Sequence, residues 1–106
     1  RRTGKPLFVS FTGYACTNCH WMKVNMFTRP EIAAQLQNFV LVELYTDGAD
    51  PASQANQEIL EKRFGIIAIP YYALVRPDDT VIATFPGLTR KAAEFEAFLQ
   101  QGSSQS

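Results

Sequence analysis

The spacing of apolar positions changes several times along the chain, and each change marks an element. Leu7-Phe8-Val9-Ser10-Phe11 is a short β-branched and aromatic run set between Pro6 and Gly13, the pattern of a buried strand. Beyond the Thr12-Gly13-Tyr14 turn, Cys19, Met22, Met26 and Phe27 recur at helical spacing, interrupted by Lys23 alone. A helix is therefore predicted over about residues 17–27, with its apolar stripe against a sheet. Thr28 with Glu31 three residues on has the form of a capping box, and Pro30 suits a first helical turn. These signals predict a break near Thr28 and a second helical piece over about 29–37.

Phe39-Val40-Leu41-Val42-Glu43-Leu44-Tyr45 is almost continuously apolar, as expected of a strand covered on both faces. Asp50 before Pro51 reads as a helix cap followed by a first helical position. That helix runs to Phe64 with Ala55, Ile59, Leu60 and Phe64 facing inward, and Gly65 stops it. Tyr71–Val75 and Val81–Phe85 flank Pro77, Asp78 and Asp79 and form a hairpin. Thr89 caps a last helix packed through Ala92, Phe95, Phe98 and Leu99, and a disordered polar tail is expected from Gly102 to Ser106. The order is strand, helix, strand, helix, hairpin, helix, so a mixed sheet with helices on both faces is expected. One domain over residues 1–101 accounts for it.

Composition narrows the possibilities. The 106 residues carry 10 basic and 10 acidic side chains with no long run of either sign, so no basic stripe selects nucleic acid or an anionic membrane surface. The longest apolar runs fall far short of the roughly 20 residues a membrane helix needs, which predicts a soluble domain; separately, a monomer is expected for the isolated domain. Nothing resembling a secretory signal opens the sequence, and the start at Arg1, just before a strand, has the look of a piece excised from something longer.

The chemistry concentrates at Cys16 and Cys19, the two cysteines of the chain. They lie three residues apart, just past a strand and at the start of a helix. Thiols so placed can close a small disulfide ring, and the helix N-terminus favours the thiolate of the first. The carboxyl end of a strand is also where open α/β sheets generally place their chemistry.

At these residues the chain resembles the thioredoxin superfamily. Strand, CxxC at a helix start, Ile69-Pro70 before the hairpin, Gly87 and the last helix follow the family order, although the family's usual first strand and helix are missing. A four-stranded thioredoxin-like α/β fold is implied. Within the superfamily the resemblance is closest to the C-terminal domain of DsbD-type thiol:disulfide interchange proteins, through Lys5-Pro6, Phe27-Thr28-Arg29-Pro30-Glu31, the loop from Thr46 to Ala55, and Lys62-Arg63-Phe64-Gly65-Ile66. This resemblance implies a periplasmic domain of an inner-membrane protein. Such a domain takes electrons from a membrane-embedded partner domain and passes them to protein disulfides without a bound cofactor. Cys16 would be the nucleophile and Cys19 the resolving thiol. Pro70 would be a cis-proline opposite the sulfurs, leaving the Ile69 backbone free to pair with a substrate chain. Tyr14, Thr17, Asn18 and Ile69 would meet the substrate.

Two positions depart from the family. The acid commonly buried six residues before the first cysteine is Ser10 here, and the aromatic residue usual just before that cysteine is Ala15. Glu43, in a run expected to be buried, is the candidate replacement base for Cys19. Two other function classes stay open. One is a redox-inactive interaction module with the same fold. The other is a c-type haem domain, because Cys16-Thr17-Asn18-Cys19-His20 also satisfies that attachment pattern; against it, the candidate second axial ligands Met22 and Met26 lie on the same helix as His20. A zinc site would need two further ligands, and the chain has no third cysteine and only one histidine.

Overall fold

Strand β1 (Leu7–Thr12) lies inside the sheet of the computed structural model, which describes residues 5–103. It is followed by α1 (Thr17–Trp21), a π-helical segment (Met22–Met26), α2 (Pro30–Leu36), β2 (Val40–Tyr45) and α3 (Pro51–Phe64). The hairpin β3 (Tyr71–Val75) and β4 (Val81–Pro86) comes next, and α4 (Ala92–Ser103) ends the described chain. The sheet order is β2-β1-β3-β4, with β1 parallel to β2 and antiparallel to β3, and β3 antiparallel to β4. The mixed sheet expected from the element order is the observed one.

The period-2 alternation of β1 divides its side chains between two cores. Phe8 joins the larger, with Met22, Met26, Tyr72, Phe95 and Leu99, which packs the cysteine helix and α4 against one face. Phe11 joins the smaller, with Leu60 and Tyr71, beneath α3 on the other. Ser10 shares the face of Phe8 by that alternation and is itself buried, so the position where an acid is common carries only a hydroxyl.

Four local expectations are corrected. β2 is not covered on both faces: it is an edge strand, and Leu41 and Glu43 are exposed. The inward face of α3 is Ser53, Asn56, Leu60 and Phe64, whereas Ala55 and Ile59 face solvent; the Asn56 side chain donates to the Tyr45 carbonyl at 3.0 Å. Polar residues thus meet the end of β2, which apolar periodicity alone does not anticipate. Thr28 does not cap α2. Its hydroxyl donates back to the Val24 carbonyl at 2.7 Å, closing the preceding helix instead, and Arg29 takes the N-cap position. Finally, α4 does not stop before Gly102, because that residue is buried against Phe39, where an added Cβ would come 2.5 Å from the ring. The glycine is a packing contact there, and the remainder of the expected tail, residues 104–106, lies outside the described residues.

Other helix signals act as their chemistry suggests. The Asp50 carboxylate accepts the Ser53 N–H at 3.2 Å, and Gly65 closes α3 in a left-handed conformation. Thr89 accepts the Lys91 N–H at 3.1 Å and donates to Glu94 at 2.9 Å before α4.

Candidate redox site

The parallel strands β1 and β2 end side by side, Thr12 opposite Tyr45, so the segments that follow them meet. Cys16 is the N-cap of α1, in extended conformation, and its Sγ accepts the Cys19 N–H at 3.1 Å. The two sulfurs form a disulfide. Cys16 is partly exposed and Cys19 only 5 % exposed, the arrangement expected of an attacking sulfur outside a resolving one. In the dithiol, the same N–H and the helix N-terminus would stabilise a Cys16 thiolate.

The Ile69-Pro70 bond is cis and Pro70 is buried. Ile69 belongs to the smaller core with Phe11, and its Cδ1 would lie 2.8 Å from a Cβ placed on Gly13. Gly13 thus lets the loop before Cys16 sit directly against the residue that precedes Pro70. Tyr14 is 74 % exposed and stacks on Tyr45 with ring centroids 4.1 Å apart. Thr17, Asn18 and His20 are exposed on the first turn of the helix. Of the other aromatic residues near the motif, Tyr71 and Tyr72 are core, and Trp21 stacks under the Arg90 guanidinium, 4.9 Å from its ring centre.

Glu43 is not the buried base its apolar surroundings in sequence suggested. Its carboxylate is about one-third exposed at the sheet edge and pairs with Lys23 at 3.0 Å. The Glu43 hydrogen bond raises the Lys23 ammonium above its ordinary pKa. Lys23 in turn borders a cavity of about 120 Å³ together with Cys19 and His20, the Thr12–Gly13–Tyr14 connection and Tyr45. A larger open hollow of about 470 Å³ along α3, formed by Ala55, Glu58, Ile59, Lys62 and Arg63, holds neither cysteine. Among the described residues, no three His, Cys, Asp or Glu side chains are grouped as metal ligands would be.

Asp47 is the site residue that the sequence reading passed over. Its two carboxylate oxygens accept the Tyr14 and Ala15 N–H groups, each at 2.9 Å, so it clamps the loop immediately before Cys16. The signal was present: an acid two residues past a parallel strand whose neighbour leads into the cysteines. These bonds, that from Ala15 first, hold the Asp47 carboxyl below its ordinary pKa. Because the folded pKa is depressed, the clamp's contribution is complete above the usual carboxylate value and is lost as pH falls below it. The amide resonances of Tyr14 and Ala15 are expected to titrate together in that acid range. Asp47→Asn should remove the titration; its persistence in that variant would show that another group holds the loop.

A family model described as thioredoxin-like domain matches residues 1–103. No curated protein sequence matches the chain. Among solved structures, a thioredoxin from Thermus thermophilus superposes with a TM-score of 0.74 at 23% identity, over 94% of this chain and 75% of that one. The reduced DsbD C-terminal domain of Neisseria meningitidis gives 0.67 at 24% identity, over 92% and 81%. A thioredoxin-fold protein from Helicobacter pylori gives 0.75 at 17%, over 97% and 72%. At these identities the likeness is one of fold.

Proposed function

The chain belongs to the thioredoxin-like domain family and is a thiol:disulfide oxidoreductase through its Cys16–Cys19 pair, and from that premise we propose that it relays electrons between protein partners. The observation that carries this reading is a partly exposed Cys16 at a helix N-cap, bonded to a buried Cys19. In the reduced state, the Cys16 thiolate attacks a partner disulfide, forming a Cys16–partner bond and releasing the partner's other sulfur as a thiolate. Cys19 then attacks Cys16; the internal disulfide forms, and the second partner sulfur leaves. Two electrons pass to the partner, and solvent balances the protons.

Tyr14, Thr17, Asn18 and Ile69 form the surface a partner chain would meet, with the backbone before Pro70 offered for pairing. The donor we propose is a membrane-embedded domain of the same full-length protein, and the acceptors are periplasmic thiol proteins. The sequence features shared with DsbD-type domains and the fold shared with the Neisseria domain support this assignment. No described helix is long and apolar enough to cross a membrane.

The test is exchange itself. The unmodified chain should reduce insulin disulfides when supplied with a dithiol and should equilibrate with a glutathione redox buffer at a definite potential. Failure to exchange with any dithiol would leave only a redox-inactive interaction module.

A further inference from the structure

Resolution of the mixed disulfide requires Cys19 to lose a proton, yet it is buried, and among the described residues no carboxylate is buried with it to accept one. The buried polar side chains among the described residues are Ser10, Thr12, Thr46, Ser53 and Thr89, none of them a carboxylate. Without compensation, burial would push the Cys19 thiol up and leave too little thiolate to attack.

We propose that Lys23 is the positioning residue for this step, its ammonium stabilising the Cys19 thiolate across the cavity that the two side chains share. Lys23 lies four positions after Cys19, in the π-helical segment that continues α1, and both residues line that cavity. The space of about 120 Å³ between the helix, the Thr12–Tyr14 connection and Tyr45 is large enough to admit water, which would give the Cys19 proton a route to solvent. Glu43 then has a role different from that of a base: it ties down the ammonium and partly neutralises it.

The other groups around Cys19 do not supply this charge as directly. On its own helix these are Cys16, the partner in the bond being made, and exposed His20. Tyr14 comes from the connection and Tyr45 from β2. The Asp47 carboxylate is engaged by the Tyr14 and Ala15 amides, and its negative charge would oppose a thiolate. Lys23 is the cation fixed by an ion pair, and that pair raises its pKa. It therefore remains charged at the pH where Cys19 must ionise.

The inference rests on the dithiol reading above, and a two-phase measurement separates the two. The reduced chain is mixed with an aromatic disulfide that releases a coloured thiolate. The first release reports attack by Cys16, and the second reports attack by Cys19 on the mixed disulfide. In Lys23→Met the second phase should slow about threefold at neutral pH, with its pH profile moved up by roughly half a unit, while the first phase is little changed. In Glu43→Gln the second phase should move the opposite way, because Lys23 is freed of its counter-charge. Lys23→Arg should restore the unmodified profile.

If both variants leave the second phase unchanged, or Glu43→Gln slows it as loss of a base would, the role assigned to Lys23 is overturned. Absence of the first phase in the unmodified chain would instead overturn the dithiol reading. Both side chains lie at the surface, so circular dichroism melts of the variants should match the unmodified chain.

Discussion

Cys16→Ser should lose insulin-disulfide reduction by about 10³-fold or more, while Cys19→Ser should keep the first attack and accumulate a mixed disulfide with the substrate. The contrast follows from where the two sulfurs sit. Serine is a good N-cap residue, so its hydroxyl can replace Cys16 Sγ as acceptor of the Cys19 N–H at little cost to the helix. What disappears is the nucleophile, since a hydroxyl at this position is not ionised near neutral pH. Cys19 is 5 % exposed, so it cannot substitute by attacking a protein disulfide from its buried position. Conversely, Cys16 needs no second thiol to attack; it needs one only to be released. Trapped adducts should therefore appear on non-reducing gels for Cys19→Ser alone. Equal trapping by both variants would show that either sulfur reaches partners, and the assignment of outer and inner thiol would fall.

The legible and illegible parts of the chain differ for a physical reason. Local signals were read correctly where one residue type answers one local need: Asp50 before Pro51, Gly65 after Phe64, the apolar run of β1, and a CxxC after a strand. They misled where the outcome depends on neighbours far away in sequence. The run around Glu43 is apolar enough for an interior strand, yet the sheet order leaves β2 at an edge, and only that order shows Glu43 to be partly in solvent and paired with Lys23. Lys23 looked like a flaw in an apolar stripe. It is instead the group that brings charge to the wall of the Cys19 cavity. Asp47 was hidden for the same reason: its partners, Tyr14 and Ala15, are more than thirty positions away and meet it only because β1 and β2 run parallel and end together.

The largest expected loss of stability is at Phe8. Its ring is fully buried on β1 and lies 5.5 Å from Tyr72, 5.7 Å from Phe27 and 6.1 Å from Phe95, measured between ring centres. It thus joins β3, the end of the cysteine helix and α4 in one aromatic cluster. Phe8→Ala should cost about 3–5 kcal/mol, the transfer of the ring plus the cavity it leaves, because three elements cannot all close onto a methyl group. For a domain of this size that is a large part of the total stability, and the melting temperature should fall on the order of 15 °C. Phe11→Ala provides the informative contrast. Phe11 is equally buried but packs with Phe64 and Tyr71 in the smaller cluster, which includes Ile69 beside Pro70. A similar stability loss there should be accompanied by slower disulfide exchange, measured well below the melting temperature, because the Pro70 segment loses its support. Phe8→Ala at the same fraction folded should exchange nearly as fast as the unmodified chain. A loss below about 1 kcal/mol for Phe8→Ala in urea unfolding would mean that the aromatic cluster closes around the gap. Equal exchange rates for the two variants would mean that the smaller core does not position the Pro70 segment.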